Sequence, residues 1–370
     1  MPGYAIYRLP HETHATLVLQ TEGEPAELLS CTELNGKRGF VVAPFEVRPD
    51  QPILLIRPDR VERIPIAELP TCQLPVPDTV THPEQTFSSV EGEKSAMYYS
   101  IDFANFHSQL EQGTFRKIVL ARCADERTAD TLSPLELFFK ACSLYPRMFI
   151  SLVNTDKSGC WLQATPEILL EGRGDGTWCT IALAGTMKLE GEALSFDSPP
   201  LQGGAGVVDI SWSTKNIQEQ RYVATYIAEC LEQFTDDFHE EGPSTVRAAD
   251  LVHLRSDFTF TLPEYGRIGD LLQTLHPTPA VCGLPKRDAF RFIIRNEHTP
   301  RRYYSGFMGM LDPEGETHLY VSLRCMNIEG DCCHLYAGGG LLKDSVLEQE
   351  WRETEAKLET MRRCIATRKM

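Results

Sequence analysis

The sequence predicts a protein of mixed strands and helices that is not a doubly wound nucleotide-binding fold. Three observations carry this. Residues up to about Pro70 read as short strands broken by turns. Beyond them, strand-type and helix-type segments do not alternate one for one. No GxGxxG occurs anywhere in the chain.

In chain order, Tyr4–Leu9, Thr16–Gln20, Gly39–Pro44 and Pro52–Ile56 are apolar runs bounded by turn residues and are expected as strands. Pro70 to Ser89 is rich in Pro and Thr without periodicity, and reads as a linker or a surface wrap. Apolar spacings of three and four predict helices over Asp102–Gly113, Pro134–Tyr145, Thr214–Phe234, Ile268–Leu275 and Lys286–Asn296, and a last one from about Leu347. Further strands are expected at Lys117–Cys123, Met148–Val153, Cys160–Ala164, Trp178–Ala184, Leu319–Met326 and Cys333–Ala337. Asp197 to Asp209 (DSPPLQGGAGVVD) reads as a mobile loop.

At 370 residues, the chain is long enough for about two domains or one large one. Its apolar content of 42% is ordinary for a protein with a sizeable core. A net charge of −16 argues against nucleic acid or an anionic membrane as partner. An anionic ligand would then need local positive charge, from a metal or a few Lys and Arg. Twelve cysteines without any CxxC fit reduced thiols, and hence a cytoplasmic setting, better than a disulfide framework or a zinc site. The opening MPGYAIYRLP does not read as a signal peptide, and no apolar run is long enough to span a membrane.

Several segments carry chemistry-bearing residues. In FRKIVLARC, strand alternation puts Lys117 on one face with Val119, Ala121 and Cys123. Desolvation there would lower a lysine's pKa and make it a usable base; the alternative is a strand-edge lysine that snorkels to water. In QATPEILLE, Thr165-Pro166 fixes the backbone ahead of Glu167, which is either presented or simply exposed. Gly185-Thr186 ends an apolar strand as an anion-binding turn or a plain one. Glu219 lies four residues before Val223, close to the buried stripe Val223, Ile227 and Leu231, so it needs a cation partner unless it serves as a cap. In HLYVSLRCMNI, Arg324 alternates onto one strand face, where its fork can meet a carboxylate or solvent. His276 stands in a Pro-shaped turn and Tyr304 beside Gly306.

The segment LYAGGGLLKDSVLEQEWRETEAK reads as a strand, a Gly-rich turn and a helix. Glu350, Glu353 and Lys357 share one flank of that helix, about a quarter-turn from the stripe Leu347, Trp351, Leu358 and Met361. Two carboxylates beside a glycine turn suit Mg²⁺ and an anion; an ordinary surface helix with a Glu353–Lys357 pair is the alternative.

Taken in order, KIVLAR, TPE, LAGT, the KN-x-x-E helix, LHPTPAVCGLP, RRYYSGFMG, SLR, YAGGG and EQEWRETEAK resemble the chorismate-utilising enzymes, over roughly Phe115 to Met361. That family includes anthranilate, aminodeoxychorismate, isochorismate and salicylate synthases. The resemblance implies an α+β fold with two large, mostly antiparallel β-sheets packed together and helices on the outside. Residues 1–90 would be a strand-rich part of the same domain, and 91–370 the chorismate-binding catalytic region. It implies Mg²⁺ held by Glu219 and Glu353, with Glu350 nearby, gripping the ring carboxylate of chorismate. Gly185 and Thr186 would add contacts to that carboxylate. Arg324, Tyr304, Gly338 and Gly340 would hold the enolpyruvyl carboxylate, with His276 in the substrate site and Lys357 neutralising the acidic cluster. Lys117 would activate water and Glu167, with a raised pKa, would protonate the departing hydroxyl.

Amine-transferring members usually carry Gln at the position of Lys117, and aminodeoxychorismate synthases often carry Lys at that of Ala184. Water as nucleophile needs a base more strongly than ammonia does, so the resemblance points to the isochorismate-forming branch. Salicylate synthase, which goes on to eliminate pyruvate, and a non-catalytic chorismate-binding module are the alternatives. No obligatory glutamine amidotransferase partner is implied, and the product would feed menaquinone or siderophore synthesis. The chain departs from the family pattern at Thr165 (usually Ser), Gln220 (often His) and Gly339 (usually Ala).

Overall fold

Runs of Val, Ile, Leu and aromatic residues with period two assemble into two nine-stranded sheets. The computed structural model describes residues 3–69, 92–128, 133–188, 212–248, 251–262 and 265–366. The expected linker Pro70–Ser89 and the expected loop Asp197–Asp209 lie outside them. The first sheet runs Gly283–Leu284, Lys117–Arg127, Cys332–Leu341, Cys325–Glu329, Gly159–Thr165, Phe149–Thr155, Tyr4–Arg8, His14–Leu19, Arg60–Pro65. The second runs Phe238–Ala248, Leu251–Thr261, Thr177–Lys188, Ile168–Gly172, Thr317–Val321, Phe307–Leu311, Gly39–Ala43, Ile53–Ile56, Ala26–Leu28. Neighbouring strands pair antiparallel throughout.

Between the sheets lies an aromatic core that includes Phe40, Phe149, Trp161, Tyr303, Tyr320 and Tyr336. Phe149 of the first sheet stacks on Tyr320 of the second at 4.3 Å between centroids, a contact worth roughly 0.5–1.5 kcal/mol beyond its burial. The outer faces are covered by helices. Pro134–Leu144, with Ser133 accepting from the Glu136 N–H, and Leu347–Ile365 pack on the first sheet around Leu137, Phe138, Leu335, Leu358 and Met361. Thr214–Leu231, capped by Ser213, and Ile268–Leu275 pack on the second through Val223, Ile227, Leu271 and Leu272. Gly92–Glu111 and Lys286–Asn296 form a further cluster with Ile118 and Leu120. No described helix is long and apolar enough to cross a membrane.

Helices expected at Ile268–Leu275 and Lys286–Asn296 have those bounds. The helix expected from Asp102 begins at Gly92. Asp102 sits in mid-helix, where its carboxylate accepts from the His298 N–H at 2.9 Å and so is spent on a tertiary partner rather than a cap.

Two larger departures from the expected strands bear on function. Leu319–Met326 is not one strand. Thr317–Val321 ends in the second sheet, the chain crosses through Ser322 and Leu323, and Cys325–Glu329 begins in the first. Arg324 makes that turn with φ of 45°, left-handed backbone that period-two alternation does not reveal. A second crossing joins Gly159–Thr165 of the first sheet to Ile168–Gly172 of the second, through Pro166 and Glu167. The crossings bond to each other: Val321 N–H donates to Glu167 O at 2.9 Å, and Ala164 N–H to Arg324 O at 3.1 Å.

The glycines of YAGGG are likewise not a turn. They lie inside Cys332–Leu341, with Gly338, Gly339 and Gly340 opposite Ala121, Leu120 and Val119. Their lack of side chains serves close approach from both faces. A Cβ on Gly338 would stand 2.7 Å from the Tyr304 hydroxyl, one on Gly340 would overlap Glu219, and one on Gly339 would stand 3.2 Å from Glu350 Oε2.

Gly306 enters the second sheet so tightly that a Cβ would overlap the Ala43 carbonyl oxygen. Gly306→Ala should destabilise the protein by about 1–3 kcal/mol, the usual scale of overpacking. A denaturant midpoint unchanged from wild type would show that the strand can move aside.

Candidate active site

A cavity between the sheets is lined by Glu167 and Arg324 from the two crossings, Gly185 and Thr186 from the second sheet, and Glu219, Tyr304, Gly338, Gly340 and Lys357. Lys117 is fully buried against it, its ammonium 3.0 Å from Glu219 Oε1. The cation that Glu219 requires is therefore a lysine of the neighbouring sheet. Burial pushes the Glu219 carboxyl up, but the ammoniums of Lys117, Lys215 and Lys357 outweigh it and leave the group below its ordinary range. The absent side chain of Gly340 makes room for this pair.

Glu167 is only 4% exposed. Burial raises its carboxyl to about 8, against the pull of Lys117, Lys357 and Arg324. At neutral pH it carries a proton, as a general acid must. Its backbone N–H donates to Thr165 Oγ1 at 3.2 Å, a bond that the Thr-for-Ser departure keeps.

Arg324 is buried, and desolvation lowers its guanidinium to about 10. It donates to His253 Nε2 at 2.8 Å. A guanidinium only donates, so Nε2 must accept and the proton of the neutral ring sits on Nδ1. Burial, Arg324 and Lys357 all favour that neutral ring, holding its pKa well below the usual value. Nδ1 lies 3.2 Å from the Gly185 carbonyl and 3.3 Å from Thr186 Oγ1. His253 thus ties the Arg324 crossing to the Gly185–Thr186 bulge, where the register of Thr177–Lys188 shifts.

On the other side of the glycine strand, Glu350 and Glu353 point at Gly339. Lys357 donates to Glu353 Oε1 at 2.7 Å and to Gly338 O at 2.8 Å. Glu350 is 1% exposed and pairs with Lys215, while its Oε2 is buried without a hydrogen-bond partner. Burial and the charge of Glu353 raise the Glu350 carboxyl. Three carboxylates, Glu219, Glu350 and Glu353, act on the Lys215 ammonium and raise its pKa, against burial, which lowers it. Gln220 faces away, its amide bonded to Ser256 Oγ at 2.7 Å.

His276 is not brought to this group. It lines a separate cavity with Phe45, Gln273 and Lys286, packs edge-on to Phe307 at 5.1 Å, and is held neutral by burial and Lys286, with its pKa near 3. Two residues of the cavity region were not singled out from the sequence. Lys215 stands four before Glu219, on the same helix flank, a spacing that signals a shared site. His253 gave no signal beyond strand alternation.

A family described as "Chorismate binding enzyme" matches residues 68–366. The chain belongs to the chorismate-binding enzymes. The salicylate biosynthesis isochorismate synthase of Pseudomonas aeruginosa is 33% identical over 260 residues, 70% of this chain and 52% of that protein, so the match spans about half of that relative. The isochorismate synthase DhbC of Bacillus subtilis is 28% identical over 84% of this chain and 81% of its own. Among solved structures, the menaquinone-specific isochorismate synthase MenF of Escherichia coli superposes with a TM-score of 0.77 at 23% identity, covering 99% of this chain and 89% of that one. Anthranilate synthase component I of Streptococcus pneumoniae superposes at 0.64 with 16% identity, covering 98% and 90%. The two-sheet fold is therefore common to chorismate-binding enzymes with different products, and side chains must tell them apart.

Infrared difference spectra across a pH titration should show one carboxyl losing its proton near pH 8, absent from Glu167→Gln. The same spectrum in both proteins would remove Glu167 as that group.

Proposed function

We propose that this chain converts chorismate to isochorismate, with Lys117 as base and Glu167 as acid. The carrying observation is Lys117, buried beside the cavity at the position where ammonia-using relatives have Gln, with a carboxyl raised to about 8 nearby. Relatives named as isochorismate synthases support the same product. Lys117 acts from its neutral amine form, in which Nζ takes a proton from the water that attacks beside the ring carboxylate. Glu167 gives its proton to the ring hydroxyl as it departs, so one water enters, one leaves, and the reaction is an isomerisation. The guanidinium of Arg324, its direction fixed by His253, offers a fork to the enolpyruvyl carboxylate, with Tyr304, Gly338 and Gly340 around it. Gly185 and Thr186 face the ring carboxylate.

Hard carboxylate oxygens that surround an ammonium, one of them buried and unpartnered, fit Mg²⁺. Glu219 and Glu353 would hold the ion, with Glu350 beside them. When bound, it would supply positive charge for the ring carboxylate of the substrate. We also read residues 1–90 as part of the catalytic domain, because Tyr4–Arg8, His14–Leu19 and Gly39–Ala43 complete the two sheets that carry the site.

Incubation with chorismate and Mg²⁺ should yield isochorismate; salicylate with pyruvate would assign the chain to the other lysine-bearing branch, and no turnover would overturn the enzyme reading. Lys117→Gln should lower the rate by about two to four orders of magnitude, the usual worth of a positioned base, while chorismate still binds. An undiminished rate would refute the role. Glu353→Gln should keep the fold and abolish stimulation by Mg²⁺; a wild-type response at limiting Mg²⁺ would exclude Glu353 as a ligand.

A further inference from the structure

A second set of donors lies outside this cavity. Cys123 and Asp125 are two apart on Lys117–Arg127 and so share a strand face. His334, on the paired strand, is the cross-strand partner of Asp125. The Cys123, Asp125 and His334 donor atoms all lie within 4.8 Å of one another. All three line a cavity with Tyr98, His298 and Arg302, separated from the chorismate cavity by Tyr336, which borders both.

We propose that Cys123, Asp125 and His334 bind a Zn²⁺-type ion, a site distinct from the carboxylate cluster. The donor chemistry selects the metal: a thiolate, an imidazole and a single carboxylate suit Zn²⁺, whereas Mg²⁺ takes oxygen ligands. His334 Nδ1 is 2.6 Å from Asp125 Oδ1, and Cys123 Sγ is 3.9 Å from the same oxygen. The metal replaces the proton between Asp125 and His334 and the thiol proton of Cys123, both of which pass to solvent. His334 Nε2 then faces Glu329 Oε2, 3.7 Å away. A carboxylate on the far nitrogen is the arrangement that orients metal-bound imidazoles. Glu329 is itself held by Arg302 at 3.4 Å. The fourth ligand position opens to the cavity, where water can enter. Paired strands give the donors a rigid base, so side-chain rotation alone draws them onto the ion.

The test is a Co²⁺ titration of metal-stripped protein in excess Mg²⁺, read by the thiolate-to-metal charge-transfer band. We expect saturation at one equivalent, displacement by Zn²⁺, loss of the band in Cys123→Ser, and Co²⁺ affinity reduced by roughly tenfold or more in His334→Gln, at the scale seen when a metal site loses support. A folded wild type without the band would leave His334 as an ion-paired imidazole only and overturn the site. So would a band that persists in Cys123→Ser, which would place the metal on another thiol. Neither result bears on chorismate turnover, because none of these residues belongs to that machinery.

Discussion

Two backbone hydrogen bonds hold the site in register. Where the chain leaves one sheet for the other at Glu167, and returns at Arg324, the crossings donate to each other through Val321 and Ala164. A residue inside a regular strand presents its side chain from one sheet only, whereas Glu167 and Arg324 stand on backbone that passes between the sheets. The crossings place an acid and a guanidinium side by side, with backbone rather than flexible side chains as support. Each sheet then contributes its own part: Lys117 and the glycines from the first, Gly185, Thr186 and His253 from the second.

Charge in the cavity is set against the charge of the chain. The protein carries −16 overall, yet Lys117, Lys215, Lys357 and Arg324 converge here on Glu167, Glu219, Glu350 and Glu353. With Glu167 protonated at neutral pH, the ammoniums and the guanidinium outnumber the carboxylates that oppose them. A dianionic substrate therefore meets a locally favourable field despite the acidic surface, and burial strengthens that field. The arrangement also accounts for the depth of Lys117, whose charge is matched by Glu219 instead of by water.

Much of this was legible in the sequence. The helix flank of Glu353 and Lys357, the inward face of Lys117 and the position of Glu219 beside its apolar stripe follow from periods of 3.6 and 2. What the periods missed is conformational. Arg324 in left-handed backbone looks like one more alternating strand residue, and three glycines in a row look like a turn when they are a strand pared down for its neighbours. His276 sits in a motif that matches the family, yet its ring packs on Phe307 in another cavity; sequence position alone does not say where a side chain points. Lys215 was visible only as an i, i+4 neighbour of Glu219, and its pairing with Glu350 depends on a helix more than a hundred residues away.

The glycine strand also links the cation site to the substrate site. Gly338 and Gly340 face the Tyr304 hydroxyl and Glu219 while Gly339 faces Glu350 and Glu353, so one bare backbone has acidic groups on both of its faces. Lys357 ties that strand to the last helix, bonded to Glu353 and to the strand's own carbonyl at Gly338. A cation held by Glu219 and Glu353 would stand beside an anion in the cavity and attract it in a low-dielectric setting. Thermodynamic reciprocity then couples the two occupancies: whatever factor the cation adds to the anion's affinity, the anion returns to the cation's.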